Sequence, residues 1–348
     1  MIRYYLIITV FALLITSCKK DDSLTLEMFK NCPTIIPKEM SIMTSNESHA
    51  YIEGIFVNDS NIITIDIYDG KSYNLFDKKN GLLYKRFGNI GEGPNEIPMG
   101  CVGYLKSKNF YIFDDQIKII AKYDIHSLLY DSLYSITPLA KYDIRDAQIS
   151  RIIPLNDSVF TALGTYQDKY QYFIFNAKSE VLDYAIEIYN YNNSNYNKFH
   201  KFLSNQGSLA KHPKENKFVG SIRFSSNIDF FEVQGSQLIP IKSHRLGDPI
   251  YETLQQGKYN RVIPTNETVN GYIDLCATEN YVYALFSNET FLSESYYSYS
   301  VIVYNWNGEA IKTIKLPQKA FYIAVSNDVL YTVTQEESGE FSIKAYNL

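Results

Sequence analysis

A short phrase recurs six times along this chain, and no other feature restricts the fold as strongly. It is an aromatic-rich run with strand character that closes on Asp, Asn or Glu, passes a polar turn, and resumes as a further strand. The copies are Tyr73–Asp77, Ile120–Asp124, Tyr172–Asn176, Ile228–Glu232, Ile302–Asn305 and Ile343–Asn347. Between closing residues the steps are 47, 52, 56, 73 and 42 residues. No long helical period interrupts them. A repeat too small to bury its own apolar face must stack on its neighbours.

Those steps fit blade lengths in a β-propeller, loosened by insertions. The expected class is all-β: a six-bladed β-propeller of four-stranded antiparallel sheets over residues 35–348. Asn80-Gly81 and Asn307-Gly308 suit two-residue hairpin turns, which need positive φ at both positions. Ile117, Ile119, Ala121 and Tyr123 alternate with Lys118, Lys122 and Asp124, the pattern of a half-buried strand with Ile120 as its one exception. The last phrase is followed only by Leu348, so an earlier segment must supply the fourth strand of its sheet. Ile35–Thr44 is the natural donor, and the exchange removes two open sheet edges. The competing arrangement is two β-domains divided at the polar stretch Tyr189–Asn197. An insertion there, with a short helix within Asn197–Leu209, is preferred because the phrase resumes beyond it.

Composition narrows the function classes. With 31 Tyr and 20 Phe the chain has ample core material and is not disordered. With 33 basic against 38 acidic residues, net −5, it has no field to hold nucleic acid through its phosphates.

Arg3 and the apolar run Leu6–Ile15 are too short to span a bilayer and read as a secretory signal. Ile15-Thr16-Ser17-Cys18 resembles a bacterial lipobox. That resemblance implies cleavage after residue 17, a diacylglyceryl thioether on Cys18 and acylation of its amino group, which together anchor stably where one chain would not. Residues 18–34 would then be a lipidated tether. Lys19-Lys20-Asp21-Asp22 resembles the surface-export signal of Bacteroidetes lipoproteins, implying an outer-membrane address facing outward, the periplasmic face being the alternative. Removing Cys18 leaves Cys32, Cys101 and Cys276, enough for one bridge at most.

Gly88-Asn89-Ile90-Gly91-Glu92-Gly93-Pro94-Asn95-Glu96 places two carboxylates on a rigid turn and lacks the Lys-Ser or Lys-Thr of a phosphate loop. With the lipobox and the sixfold repeat, this loop resembles the TolB-like six-bladed propeller lipoproteins of Bacteroidetes, in which a glycine loop ending Gly-Pro-x-Glu leads from one blade to the next. Ser208-Leu209-Ala210-Lys211-His212-Pro213 is similar to another blade-leading loop of that family. Two roles stand for the first loop: a lock on the blade junction, with the Glu96 carboxylate accepting backbone N–H groups, or a binding site at the channel mouth. The ligand-binding candidates are Gly91, Glu92, Gly93, Pro94, Glu96 and His212.

No catalytic residue is assigned. His49, His126, His200, His212 and His244 never fall at metal-binding spacing, no nucleophile elbow occurs, and neither metal nor cofactor is expected. Tyrosines such as those in Ser295–Tyr304 suit stacking on sugars, although alternating aromatics in strands are more often core. Asp22-Ser23-Leu24, Asp131-Ser132-Leu133 and Asp157-Ser158-Val159 resemble O-glycosylation acceptors and read equally as turns. The function expected is a monomeric, non-catalytic binding module for a glycan or an envelope protein. The alternatives are a hydrolase or lyase on polysaccharide or peptide, and a structural subunit of an envelope complex.

Overall fold

Each recurring phrase lies in the third strand of a four-stranded antiparallel sheet, and the sheets form a ring of six blades. The computed structural model describes residues 29, 31–40, 51–99, 101–131, 134–188, 196–256, 259–290 and 296–348. Two short strands come first, β1 (Thr34–Ile35) and β2 (Lys38–Met40). Blade 1 is β3 (Gly54–Val57), β4 (Asn61–Tyr68), β5 (Lys71–Asp77) and β6 (Leu83–Asn89). Blade 2 is β7 (Val102–Lys106), β8 (Asn109–Asp114), β9 (Ile119–Asp124) and β10 (Thr137–Lys141), with helix α1 (Ile125–Tyr130) before its last strand. Blade 3 is β11 (Ala147–Asn156), β12 (Val159–Tyr166), β13 (Tyr170–Asn176) and β14 (Val181–Glu187), followed by α2 (Lys198–Ser204), whose N-cap Asn197 accepts from Phe199 and His200.

Blade 4 is β15 (Gly207–Lys211), β16 (Lys217–Ile222), β17 (Ile228–Gln234) and β18 (Gln237–His244). A separate hairpin, β19 (Tyr251–Gln256) and β20 (Tyr259–Pro264), accounts for the long 73-residue step. Blade 5 is β21 (Val269–Ala277), β22 (Val282–Thr290), β23 (Ser298–Tyr304) and β24 (Ala310–Ala320), and blade 6 is β25 (Tyr322–Ser326), β26 (Val329–Gln335) and β27 (Phe341–Asn347).

The early chain completes blade 6. β2 lies antiparallel on β27, with Lys38 opposite Asn347 and Met40 opposite Ala345. Within the expected donor Ile35–Thr44, residues 41–44 lie outside the described residues. β1 adds parallel to β24, Thr34 opposite Thr313, so blade 5 has five strands rather than four. Phe29 is buried against Phe286 and Tyr304, and the Cys32 thiol donates to the Ala310 carbonyl. The propeller therefore takes up chain within the segment read as tether. Cys18 and the lipobox lie outside the described residues, among which no helix is long and apolar enough to cross a membrane.

Six hydrophobic clusters fill the six gaps between blades. Tyr73 and Phe87 of blade 1 meet Phe110 and Tyr123 of blade 2, Tyr73 and Phe110 edge to face at 5.0 Å, a pair geometry contributing about 0.5–1.5 kcal/mol beyond burial. This stacking corrects the half-buried reading of β9: Ala121 and Tyr123 face blade 1, whereas Ile120 is buried against Tyr142 and Phe160 toward blade 3. Both faces of a blade are interior. Ile117 belongs to the turn before β9 and is exposed.

The two Asn-Gly pairs also differ from expectation. In each only the glycine has positive φ, 70° at Gly81 and 78° at Gly308, and the loops close from Asp77 to Leu82 and from Asn305 to Glu309. The Asp77 and Asn305 side chains satisfy the loop N–H groups. Consecutive positive φ occurs instead at Asp69-Gly70, Gln167-Asp168 and Asn327-Asp328.

Candidate functional site

Because strand direction alternates, the turns between second and third strands share one face, here called upper, with the connections between blades. The turns from first to second and third to fourth strands share the lower face. The first strands ring the axis. At their upper end is a cavity of about 210 Å³ lined by Asp115, Ser150, Arg151, Gln206, Ser208 and Arg223 among others, with Phe202 of α2 as part of the wall.

Two charged residues on first strands follow irregularities in the ladder. β11 shifts register between Ile149 and Arg151, and β21 between Tyr272 and Asp274. A bulge turns the next side chain away from strict alternation. Arg151 donates through Nη1 to the Ser150 carbonyl at 2.7 Å. Asp274 accepts from the Leu275 and Ile323 N–H groups, both at 2.9 Å, tying blade 5 to blade 6. Burial pushes the Asp274 carboxyl up to about 6 against those bonds and the pull of Arg151 and Arg223. Burial likewise lowers Arg151, with Asp274 opposing.

Arg223 follows β16 at the upper turn of blade 4, and its guanidinium lies 4.8 Å from the centre of the Tyr296 ring. Its Nε is buried without a hydrogen-bond partner. Asp114 is buried, and its Oδ1 accepts from Gln116 at 2.9 Å and Ile117 at 2.8 Å. Beside it, burial and the Asp114 charge push the Cys101 thiol up to about 12, an inert state. Cys32, Cys101 and Cys276 are all free thiols.

The sequence-predicted ligand residues are not brought together. Gly91 to Glu96 lie on the upper connection from blade 1 to blade 2 but do not line the cavity. Glu96 Oε2 accepts from the Gly93 N–H at 2.7 Å, and Gly91 N–H donates to the Ile97 carbonyl. A Cβ on Gly91 would stand 1.9 Å from that carboxylate oxygen, so a side chain there would displace the Glu96 carboxylate. Glu92, Gly93 and Pro94 are exposed. Glu96→Ala should cost about 1 kcal/mol, the value of one net hydrogen bond, and Glu92→Ala nearly nothing; thermal melts of both variants check this.

His212 sits on the opposite, lower face in the turn between β15 and β16. Its Nδ1 accepts from the Lys214 and Glu215 N–H groups, which leaves the proton on Nε2, 3.0 Å from the Glu279 carbonyl. Burial lowers its pKa, with Glu215 partly opposing. The ring is thus a neutral staple between blades 4 and 5. The run Ser208–Lys211 is likewise not a loop but the first strand of blade 4. Ser158 stands in a turn, its N–H and hydroxyl both on Asn156 Oδ1, while Ser23 and Ser132 lie outside the described residues. Tyr304 is core, whereas Tyr296 and Tyr299 are exposed.

Arg151, Arg223 and Asp274 were missed at the sequence level because single charges in or just after strands carry no motif. Their only trace was a charge interrupting an apolar run.

Comparison with known proteins decides the family. Residues 38–328 match the family described as TolB-like 6-blade propeller-like. The chain belongs to this TolB-like family. A DUF4221-family protein from Bacteroides vulgatus ATCC 8482 shares the fold at TM-score 0.57 and 13% identity, over 90% of this chain and 97% of its own. A Bacteroides fragilis NCTC 9343 protein bearing the designation "exported protein" does so at TM-score 0.53 and 11% identity, over 89% and 94%. No curated protein matches the sequence. Within this TolB-like propeller, the channel mouth is where loops of several blades converge.

Proposed function

We propose that the protein is an exported, lipid-anchored envelope component that binds a glycan without catalysis at the upper mouth of its channel. The observation that carries this reading is the cavity itself: polar side chains from blades 2, 3 and 4 converge on about 210 Å³ of space. That is below the roughly 300–1,000 Å³ of drug-sized pockets, so the mouth suits one end of a longer ligand rather than a whole one. Asp114 and Asp274 are held by backbone N–H groups, which favours rigid recognition over proton transfer.

The envelope address is supported by the lipobox at Cys18, the Lys-Lys-Asp-Asp run after it, and the export designation of the Bacteroides fragilis neighbour. Cys32 bonds the lower end of β24, which supports a tether leaving the face opposite the mouth, so that the mouth points away from the membrane. An outer-membrane protein facing outward would be shaved from intact cells by added protease; protection until lysis would place it on the periplasmic side.

A second reading, a polysaccharide hydrolase or lyase, is favoured by one observation, the buried Asp274 carboxyl near 6 on the innermost strand of blade 5. A glycan array with the soluble form lacking Cys18, followed by mass spectrometry of the bound glycan, separates the two. Retention of intact glycan is expected; release of shortened product, lost in Asp274→Asn, would establish the enzyme instead. No glycan retained, with an envelope protein co-purifying, would replace the glycan by a protein partner.

A further inference from the structure

The groups lining the mouth are unevenly satisfied. Asp114 at the mouth, and Asp274 beside it on the first strand of blade 5, have backbone donors on them, at 2.8–2.9 Å. The two guanidiniums have no carboxylate within ion-pair distance among the described residues. Among the described residues, Arg151 donates to its neighbour's carbonyl alone, and Arg223 Nε has no acceptor. A guanidinium taken from water without an acceptor is costly, and two such groups close enough to repel add to that cost. Elsewhere the same fold does satisfy a part-buried arginine: Arg245 makes a forked pair with Asp229 at 3.1 and 2.7 Å. At the mouth no described residue supplies such a forked acceptor; Asp274 and Asp115 act on Arg151 only through their charge.

We infer that the mouth binds an acidic saccharide, its carboxylate held between Arg151 and Arg223 and its ring toward Tyr296, Ser150, Ser208 and Gln206. This deepens the glycan-binding reading and rests on it. A carboxylate offers two oxygens to the planar fork of a guanidinium, a match a neutral hydroxyl cannot make. Tyr296, its ring centre 4.8 Å from the Arg223 guanidinium and part of the side chain exposed, puts an aromatic ring beside that charge, the kind of surface on which sugar rings pack. The neutral part of the ligand meets hydroxyl and amide groups.

The test is calorimetric titration of the soluble protein with a galacturonic acid trisaccharide, its methyl ester and inorganic phosphate. The acid should bind at least about tenfold more tightly than the ester, since a lost charged hydrogen bond is worth about 1.5–3 kcal/mol. Arg151→Gln and Arg223→Gln should each lose about tenfold or more, and Arg223→Lys should recover only part. Arg145→Gln, at a fully exposed arginine, serves as control and should bind as the parent does. Melting curves of every variant separate lost binding from lost folding. Equal binding of acid and ester would overturn the acidic ligand while leaving the mouth a glycan site. Phosphate binding as tightly as the trisaccharide, with the same arginine dependence, would overturn the saccharide and leave a bare anion site. Neutral glycans bound on the array with affinity indifferent to both arginines would overturn the placement of the site, and no binding of any probe would overturn both readings.

Discussion

Asp229→Ala is expected to destabilise the propeller by about 3–5 kcal/mol, the cost of stripping one member from a buried ion pair. The Asp229 side chain is fully buried. It receives Arg245 Nε and Nη2 together with the Tyr172 hydroxyl at 2.9 Å, so one carboxylate ties β13 of blade 3 to β17 and the end of blade 4. Burial pushes its pKa up while Arg245 pulls it down, and the chain keeps it in place through several donors at once. The alanine variant takes acceptors away from a guanidinium and a buried hydroxyl in a single step. Tyr172→Phe removes one hydrogen bond and should cost only about 1 kcal/mol. Calorimetric melting of the three proteins decides it. A fall of roughly 5–15 °C is expected for the alanine variant, and a fall under about 2 °C would show that blades 3 and 4 are held together by their apolar gap alone.

The second large effect concerns closure of the ring. A soluble form beginning at residue 42 lacks β1, β2 and Phe29 and should lose cooperative melting, with its transition at least about 10 °C lower or with aggregation before it. Without β2, the outer edge of β27 presents unpaired N–H and C=O groups, a template for association between molecules. A form beginning at residue 37 keeps β2 and loses Phe29, the Cys32 contact and the parallel β1, and should fall by less. Light scattering with the melt separates edge-driven association from simple unfolding. If the two forms behave alike, β2 adds nothing to the stability of the ring once Phe29 and β1 are gone.

Architecture was readable because it is written in local chemistry repeated many times. Tyr73, Tyr123, Tyr172, Tyr304 and Tyr346 each come from a third strand, and each fills a gap between blades. A repeated apolar strand has few ways to be buried, and stacking radially on its own kind is one of them. The missing fourth strand of the last sheet followed from counting. What misled was the environment of single strands: alternation across β9 suggested one wet face, whereas a blade within a ring has none.

The site was far less legible. Glu96 and the glycines form a recognisable string, and that string closes a turn away from the cavity. His212 looked available in sequence and is consumed by three backbone groups on the lower face. Arg151 and Asp274 look unremarkable in sequence, yet each follows a register shift on its own blade and each acts on the other's charge.

By itself the sequence determined the all-β class, the number of blades and the exchange that closes the ring. Each of these depends on composition, spacing or short-range pattern, which a linear chain carries in full. Only the tertiary structure decided which charges share the axis. Arg151, Arg223 and Asp274 are up to 123 residues apart in the chain, and their proximity is set by how three blades are rotated about a common centre. Which of them keeps an unmet hydrogen bond depends on backbone groups of a neighbouring blade.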